Sequence, residues 1–187
     1  MPALRSFIAL PVPADLKSEI AALIADLQSI PSDVKWEDPE KLHLTLRFLG
    51  NVDLSFVEEL SQSLRGQLSY HFPFEITYEG LGAFPTWARP RVIWIGVRAD
   101  ESLSALQRTV EEVVIGLGRE KEDREFHAHL TIGRVKGFRH LDRLTAKAKS
   151  VTFEPVSTLC NNVLIVKSEL HPAGSRYTVI HSIPLNL

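Results

Sequence analysis

Two tetrapeptides carry the chemistry available to this chain: His43-Leu44-Thr45-Leu46 and His129-Leu130-Thr131-Ile132. In a β-strand, side chains alternate between faces. His43, Thr45 and Arg47 then share one face, and Leu44, Leu46 and Phe48 the other. In the second stretch His127, His129 and Thr131 share a face, backed by Ala128, Leu130 and Ile132. Each strand packs an apolar side on a core and offers an imidazole and a hydroxyl opposite. An imidazole with a pKa of about 6.5 is available both neutral and protonated. Two of them across a cleft supply a general acid and a general base. The threonine hydroxyls can donate to nonbridging phosphate oxygens. The expectation is acid–base chemistry on a phosphate without a metal, and symmetry alone leaves open which histidine is the acid. Arg47, on the face of His43, is a candidate phosphate ligand. Strict alternation puts Arg134 on the back face, so it needs a twist or a strand end to reach in.

Nine threonines in 187 residues make a chance His-x-Thr roughly a 5% event per histidine, so two copies alone are a weak signal. Their spacing strengthens it. The histidines lie 129 − 43 = 86 residues apart, and the same offset sets Arg5 on Arg91, Phe7 on Ile93, Ile20 on Leu106, Ile24 on Val110 and Leu27 on Val113. Residues 5–50 and 91–136 each read as strand, long helix, charged connection and His-x-Thr strand. An internal duplication implies two lobes related by a pseudo-twofold axis, with the motif strands meeting where ligand sites are common. The element order favours an α+β arrangement with mainly antiparallel sheets, in a single domain over residues 1–187.

The elements that must position the motifs follow from periodicity. Strands are expected over 5–12, 42–49, 72–78, 91–97, 126–135, 151–156, 161–170 and 177–183. Helices are expected over 14–28, from a Ser55/Glu58 capping box to Leu68, over 102–117 with Gly118 as its stop, and over 141–149. Residues 34–40 read as an irregular acidic approach, 80–90 as a Gly/Pro-marked loop, 119–125 as a solvated connection and 172–175 as a turn.

Composition excludes several classes. Net charge is −2, against tight nonspecific binding to long nucleic acid. The single cysteine, Cys160, allows no intramolecular disulfide and suits core packing in a reducing compartment. No secretory signal and no apolar run of membrane-spanning length is read, so the expected location is the cytoplasm.

The paired motifs resemble the two-histidine phosphoesterase superfamily. Within it the chain resembles the RNA 2′,3′-cyclic phosphodiesterases, also called 2′-5′ RNA ligases. The likeness runs through residues 5–10, Leu42 to Gly50, Gly82 to Pro85, Arg89 to Trp94 and the Gly174 to Tyr177 turn. Where that family often has proline before the second histidine, this chain has Ala128. The resemblance implies a bilobed fold of two antiparallel sheets with outer helices and an active cleft between lobes. It implies metal-free, cofactor-free opening of a 2′,3′-cyclic phosphate at an RNA end to a 2′-phosphate, with reversible 2′-5′ joining in some members. It makes His43 the proton donor and His129 the acceptor, and gives Arg134 a position where the family commonly carries arginine. Phe7 is a candidate stacking surface for the terminal base. The expected partners are RNA ends or oligonucleotides with a 2′,3′-cyclic phosphate, met by a monomer and with no membrane. Two other readings compete: a zinc-dependent hydrolase using His43, His127 and His129, and a noncatalytic RNA-end or nucleotide-binding module.

Overall fold

The computed structural model describes residues 3–98, 100–172 and 174–186. The strands are β1 (Leu4–Pro11), β2 (Val34–Trp36), β3 (His43–Val52), β4 (Phe74–Phe84), β5 (Val92–Arg98), β6 (His129–Val135), β7 (Val156–Cys160), β8 (Asn162–His171) and β9 (Gly174–Pro184). The helices are α1 (Ala14–Gln28), α2 (Leu54–Leu68), α3 (Glu101–Gly116) and α4 (Leu141–Ser150). The fold is α+β, with two antiparallel sheets ordered β3-β1-β8-β9 and β2-β6-β5-β4-β7.

The helices form where apolar residues recur at helical spacing, and they bury those residues. Leu16, Ile20, Leu23, Ile24 and Leu27 of α1 join one continuous core with Ile8 and Leu10 of β1 and Leu44 of β3. Leu103, Leu106, Val110 and Val114 of α3 enter the same core beside Ile93, Ile95, Leu130 and Ile132. Cys160 is buried there, and burial pushes its thiol up to about 11. No helix of the described residues is long and apolar enough to cross a membrane.

Several expectations change. Residues 34–36 form a strand: Val34, Lys35 and Trp36 pair with Val135, Arg134 and Gly133 of β6. Helix α2 begins at Leu54 with Asp53 as its N-cap, so Ser55 lies inside the first turn and does not cap. Strand β4 runs through the expected loop to Phe84, because a register shift between Glu79 and Leu81 absorbs Gly80, which sits at φ +65°. Residues 151–155 carry no strand, and β7 starts at Val156. The 172–175 turn includes Ala173, which lies outside the described residues.

One inserted residue decides the fate of Arg47. Ala9 pairs with Thr45 and Ile8 with Arg47, so Leu46 is an unpaired bulge residue in β3. A bulge shifts the side-chain parity by one. Arg47 therefore turns to the core face beside Ile8, away from His43 and Thr45, contrary to strict alternation. There its Nε lies 2.9 Å from Glu111 Oε2 of α3 and its Nη1 donates to Glu122 Oε2 at 2.8 Å. Glu111 also accepts from the Glu122 backbone N–H at 2.8 Å, and Arg119 donates to the Leu49 carbonyl at 2.6 Å. The 119–125 connection is thus tied to β3 and is not merely solvated. The Arg47 and Glu111 side chains are only 9% and 12% exposed, so removing one leaves a nearly buried charge unpaired. Arg47→Ala is expected to cost about 3–5 kcal/mol of stability, read from the urea midpoint; a loss below about 1 kcal/mol would show that the pair is not a structural tie.

Candidate active site

The two histidines sit in matching settings. His43 opens β3 and His129 opens β6, and the two strands lie against each other. The His43 Nδ1–H donates to the Lys41 carbonyl at 2.8 Å, and the His129 Nδ1–H to the His127 carbonyl at 2.6 Å. Both bonds reach back two residues, so the same backbone turn recurs at the head of each motif. With Nδ1 held as donor, Nε2 is the nitrogen left to exchange a proton in each ring.

Each imidazole also has aromatic walls. His43 stacks on Phe7 with ring centroids 4.5 Å apart, and Tyr177 meets it edge-on at 5.1 Å. His129 meets Phe84 edge-on at 4.9 Å, with Trp94 at 6.3 Å. Packing of this kind fixes ring orientation and excludes water from one side. Trp94 lies so close over Gly82 that a Cβ there would collide with its ring. Glycine at 82 is therefore a condition for the wall behind His129. Phe7 thus backs His43 and is 3% exposed, so little of its ring is open for a base to stack on.

Burial is the largest influence on both rings and holds both below the usual histidine value. Charge separates them. The Glu37 carboxylate favours the protonated form of His43, whereas Arg134 disfavours it. His129 feels His127 and Arg134, both of which disfavour its cation. Arg134 therefore acts on both histidines, and its Nε donates to Glu37 Oε1 at 3.1 Å.

Arg134 reaches the cleft by the device that removes Arg47 from it. Trp94 pairs with Thr131 and Ile93 with Gly133, leaving Ile132 unpaired. After that bulge Arg134 pairs with Val92, on the face that Trp94 shares with Thr131 and His129. The two bulge residues are 132 − 46 = 86 apart, the motif offset again. The bulges place Thr45 and Phe48 on the cleft face of β3, and Thr131 and Arg134 on that of β6. Phe48 is 59% exposed there.

His127 stands just ahead of β6 with its side chain exposed, and its carbonyl rather than its ring serves His129. His43, His127 and His129 form no metal-binding group, and among the described residues no trio of His, Cys, Asp or Glu does. The zinc reading lacks its ligand set. Sequence reasoning missed Glu37, Trp94 and Tyr177. Glu37 carried a legible signal, a carboxylate six residues before the first motif; Trp94 and Tyr177 fall in stretches that carry the family likeness, but it is tertiary pairing that brings them to the histidines.

Replacing Glu37 by Gln removes a charge that favours the His43 cation. The His43 midpoint, already below about 6.5, is expected to move further toward acid. NMR titration of the imidazole checks this, and an unmoved or raised midpoint would show that Glu37 does not act on that ring.

Comparison with known proteins gives a consistent result. Residues 16–172 match the model of the 2′-5′ RNA ligase superfamily. The chain is 35% identical over 175 residues to the RNA 2′,3′-cyclic phosphodiesterase of Methanothermobacter thermautotrophicus, covering 93% of this chain and 95% of that one. It is 35% identical over 180 residues to the protein of the same name from Methanocaldococcus jannaschii, covering 95% and 98%. Among solved structures it is similar to a Thermus thermophilus protein, TT0787, with TM-score 0.81, 24% identity and coverage of 97% and 98%. It is also similar to E. coli LigT in complex with 3′-AMP, with TM-score 0.78, 25% identity and coverage of 99% of each chain.

Proposed function

Given that the chain belongs to the 2′-5′ RNA ligase superfamily, we propose that it opens 2′,3′-cyclic phosphates at RNA ends to 2′-phosphomonoesters by metal-independent acid–base catalysis. The observation that carries this reading is the matched pair of imidazoles. Each has Nδ1 committed to a carbonyl two residues back, and each has a threonine on its own face.

In this reading the neutral His129 Nε2 takes a proton from water as its oxygen attacks phosphorus. The P–O3′ bond breaks, and the protonated His43 Nε2 delivers its proton to O3′. One P–O bond forms and one breaks, while one proton passes from water to His129 and one from His43 to O3′. The product keeps phosphate on O2′. The Thr45 and Thr131 hydroxyls donate to the nonbridging oxygens as negative charge builds. Arg134 supplies a fixed cation beside the same phosphate. A 5′-hydroxyl of another RNA end in place of water yields a 2′-5′ bond by the same displacement. The acid and base roles come from the family resemblance, and the charge distribution supports them: the Glu37 carboxylate favours an imidazolium at His43, whereas the charges felt by His129 favour the neutral base.

The reactive form holds one proton on the pair. Burial depresses both pKa values, so that population lies on the acid side of about 6.5 and falls as pH rises. A bell-shaped kcat/KM is expected, its alkaline limb below the free-histidine value. The decisive experiment offers RNA oligomers and nucleoside 2′,3′-cyclic phosphates with a chelator present and identifies the phosphomonoester formed. The 2′-phosphate is expected. His43→Ala and His129→Ala are each expected to lose about 10²–10⁴-fold in kcat; near-normal turnover by either, or dependence on added zinc, overturns the mechanism.

A further inference from the structure

The segment after Phe84 is not used by this chemistry, although Gly82 to Pro85 and Arg89 to Trp94 stand out in the sequence. Phe84, Pro85, Arg89, Arg91 and Val92 line one open pocket. Its floor is apolar: Phe84, Pro85 and Val92. Two exposed arginines, Arg89 and Arg91, stand on its rim. The loop is closed by the Arg91 N–H to the Phe84 carbonyl at 2.7 Å and the Arg89 N–H to the Thr86 carbonyl at 3.2 Å. Arg134 is held by Glu37, but no carboxylate among the described residues pairs with Arg89 or Arg91. Unpaired guanidinia around an apolar floor are suited to an anion that carries a flat or sugar-like body.

The pocket adjoins the histidine cleft through Phe84 and Val92. Phe84 touches His129 and pairs with Val92, and Val92 pairs with Arg134. Arg91 directly precedes β5, three residues before Trp94, which lies opposite Thr131, and so it sits about 10 Å along the chain from that position. That is too far for the reacting phosphate and right for a group covalently attached to it.

We infer that this pocket is a second subsite, which takes the nucleotide on the 5′ side of the cyclic end. Its phosphodiester meets Arg89 and Arg91, and its ribose and base cover Phe84, Pro85 and Val92. The inference rests on the proposed reaction for its orientation. It makes the protein an enzyme of oligonucleotide ends, which acts on free nucleoside cyclic phosphates less efficiently.

The test compares a nucleoside 2′,3′-cyclic phosphate with a tetranucleotide bearing the same cyclic end. Wild type is expected to favour the tetranucleotide at least tenfold in kcat/KM at low salt, with the advantage shrinking as salt rises. The Arg89→Gln, Arg91→Gln double variant is expected to bring that ratio to within twofold of unity while turning over the mononucleotide at the wild-type rate. A methylphosphonate at the last internucleotide linkage is expected to abolish the advantage in wild type. The subsite is overturned if the double variant keeps the preference, or if it slows both substrates equally. Should wild type open neither substrate, the proposed reaction fails. The subsite is then judged by fluorescence anisotropy of a labelled tetranucleotide 2′-phosphate, whose affinity the double variant should weaken at least tenfold, and an unchanged affinity overturns it.

Discussion

The pairing of three residues of β2 with β6 links the two sheets at the site. Strand β2 adds to the sheet that contains His129, and six residues after Glu37 the chain enters the other sheet at His43. Between them the Glu37 N–H donates to the Ile132 carbonyl at 2.9 Å, and its carboxylate receives Arg134. A single 3-10 turn, Pro39–Lys41, capped by the Asp38 side chain, then delivers the Lys41 carbonyl that holds His43. The first histidine is thereby positioned from the strand that carries the second. Loss of that short pairing would free the lead-in to β3 even with both sheets otherwise intact.

The bulges at Leu46 and Ile132 do the second part of the work. A pleated strand has period 2, so without an extra residue it cannot place positions i, i+2 and i+5 on one face. His43, Thr45 and Phe48 need that pattern, as do His129, Thr131 and Arg134. The same shift sends Arg47 inward to Glu111, where it ties β3 to α3 and to the connection leading to the second motif. One irregularity thus serves the cleft on one side and the core on the other.

This explains what could be read from the chain and what could not. The long helices were legible because their apolar residues recur over several turns, as with Leu16 to Leu27 and Leu103 to Val114. The histidines and threonines were legible because alternation holds up to the bulge. Beyond it, Arg47 and Arg134 exchanged the faces that alternation assigns them: no residue type marks the bulge after Thr45, and Gly133 is the one sign of the bulge after Thr131. Strand β2 was hidden because three residues carry too little pattern. The end of β4 was hidden because Gly80 and Gly82 look like loop residues. Gly82 is instead required where the Trp94 ring crosses the strand, a packing constraint set by a residue twelve positions away.

The electrostatics of the cleft connect these placements to the proposed reaction. Partial burial, and after it the nearby Arg134, disfavour the cation on both imidazoles, and so both rings are held below the usual histidine value. An arriving phosphate reverses that balance, because its negative charge favours an imidazolium on either side. In the proposed reaction the catalytic proton is thus stabilised by the substrate that receives it. Which ring holds it depends on asymmetries in an otherwise repeated frame. Glu37 lies on the segment leading to His43, while the chain leading to His129 brings the exposed His127. Two nearly equivalent motifs can in this way take opposite roles in one displacement, with the difference written in the residues just before each histidine rather than in the motifs themselves.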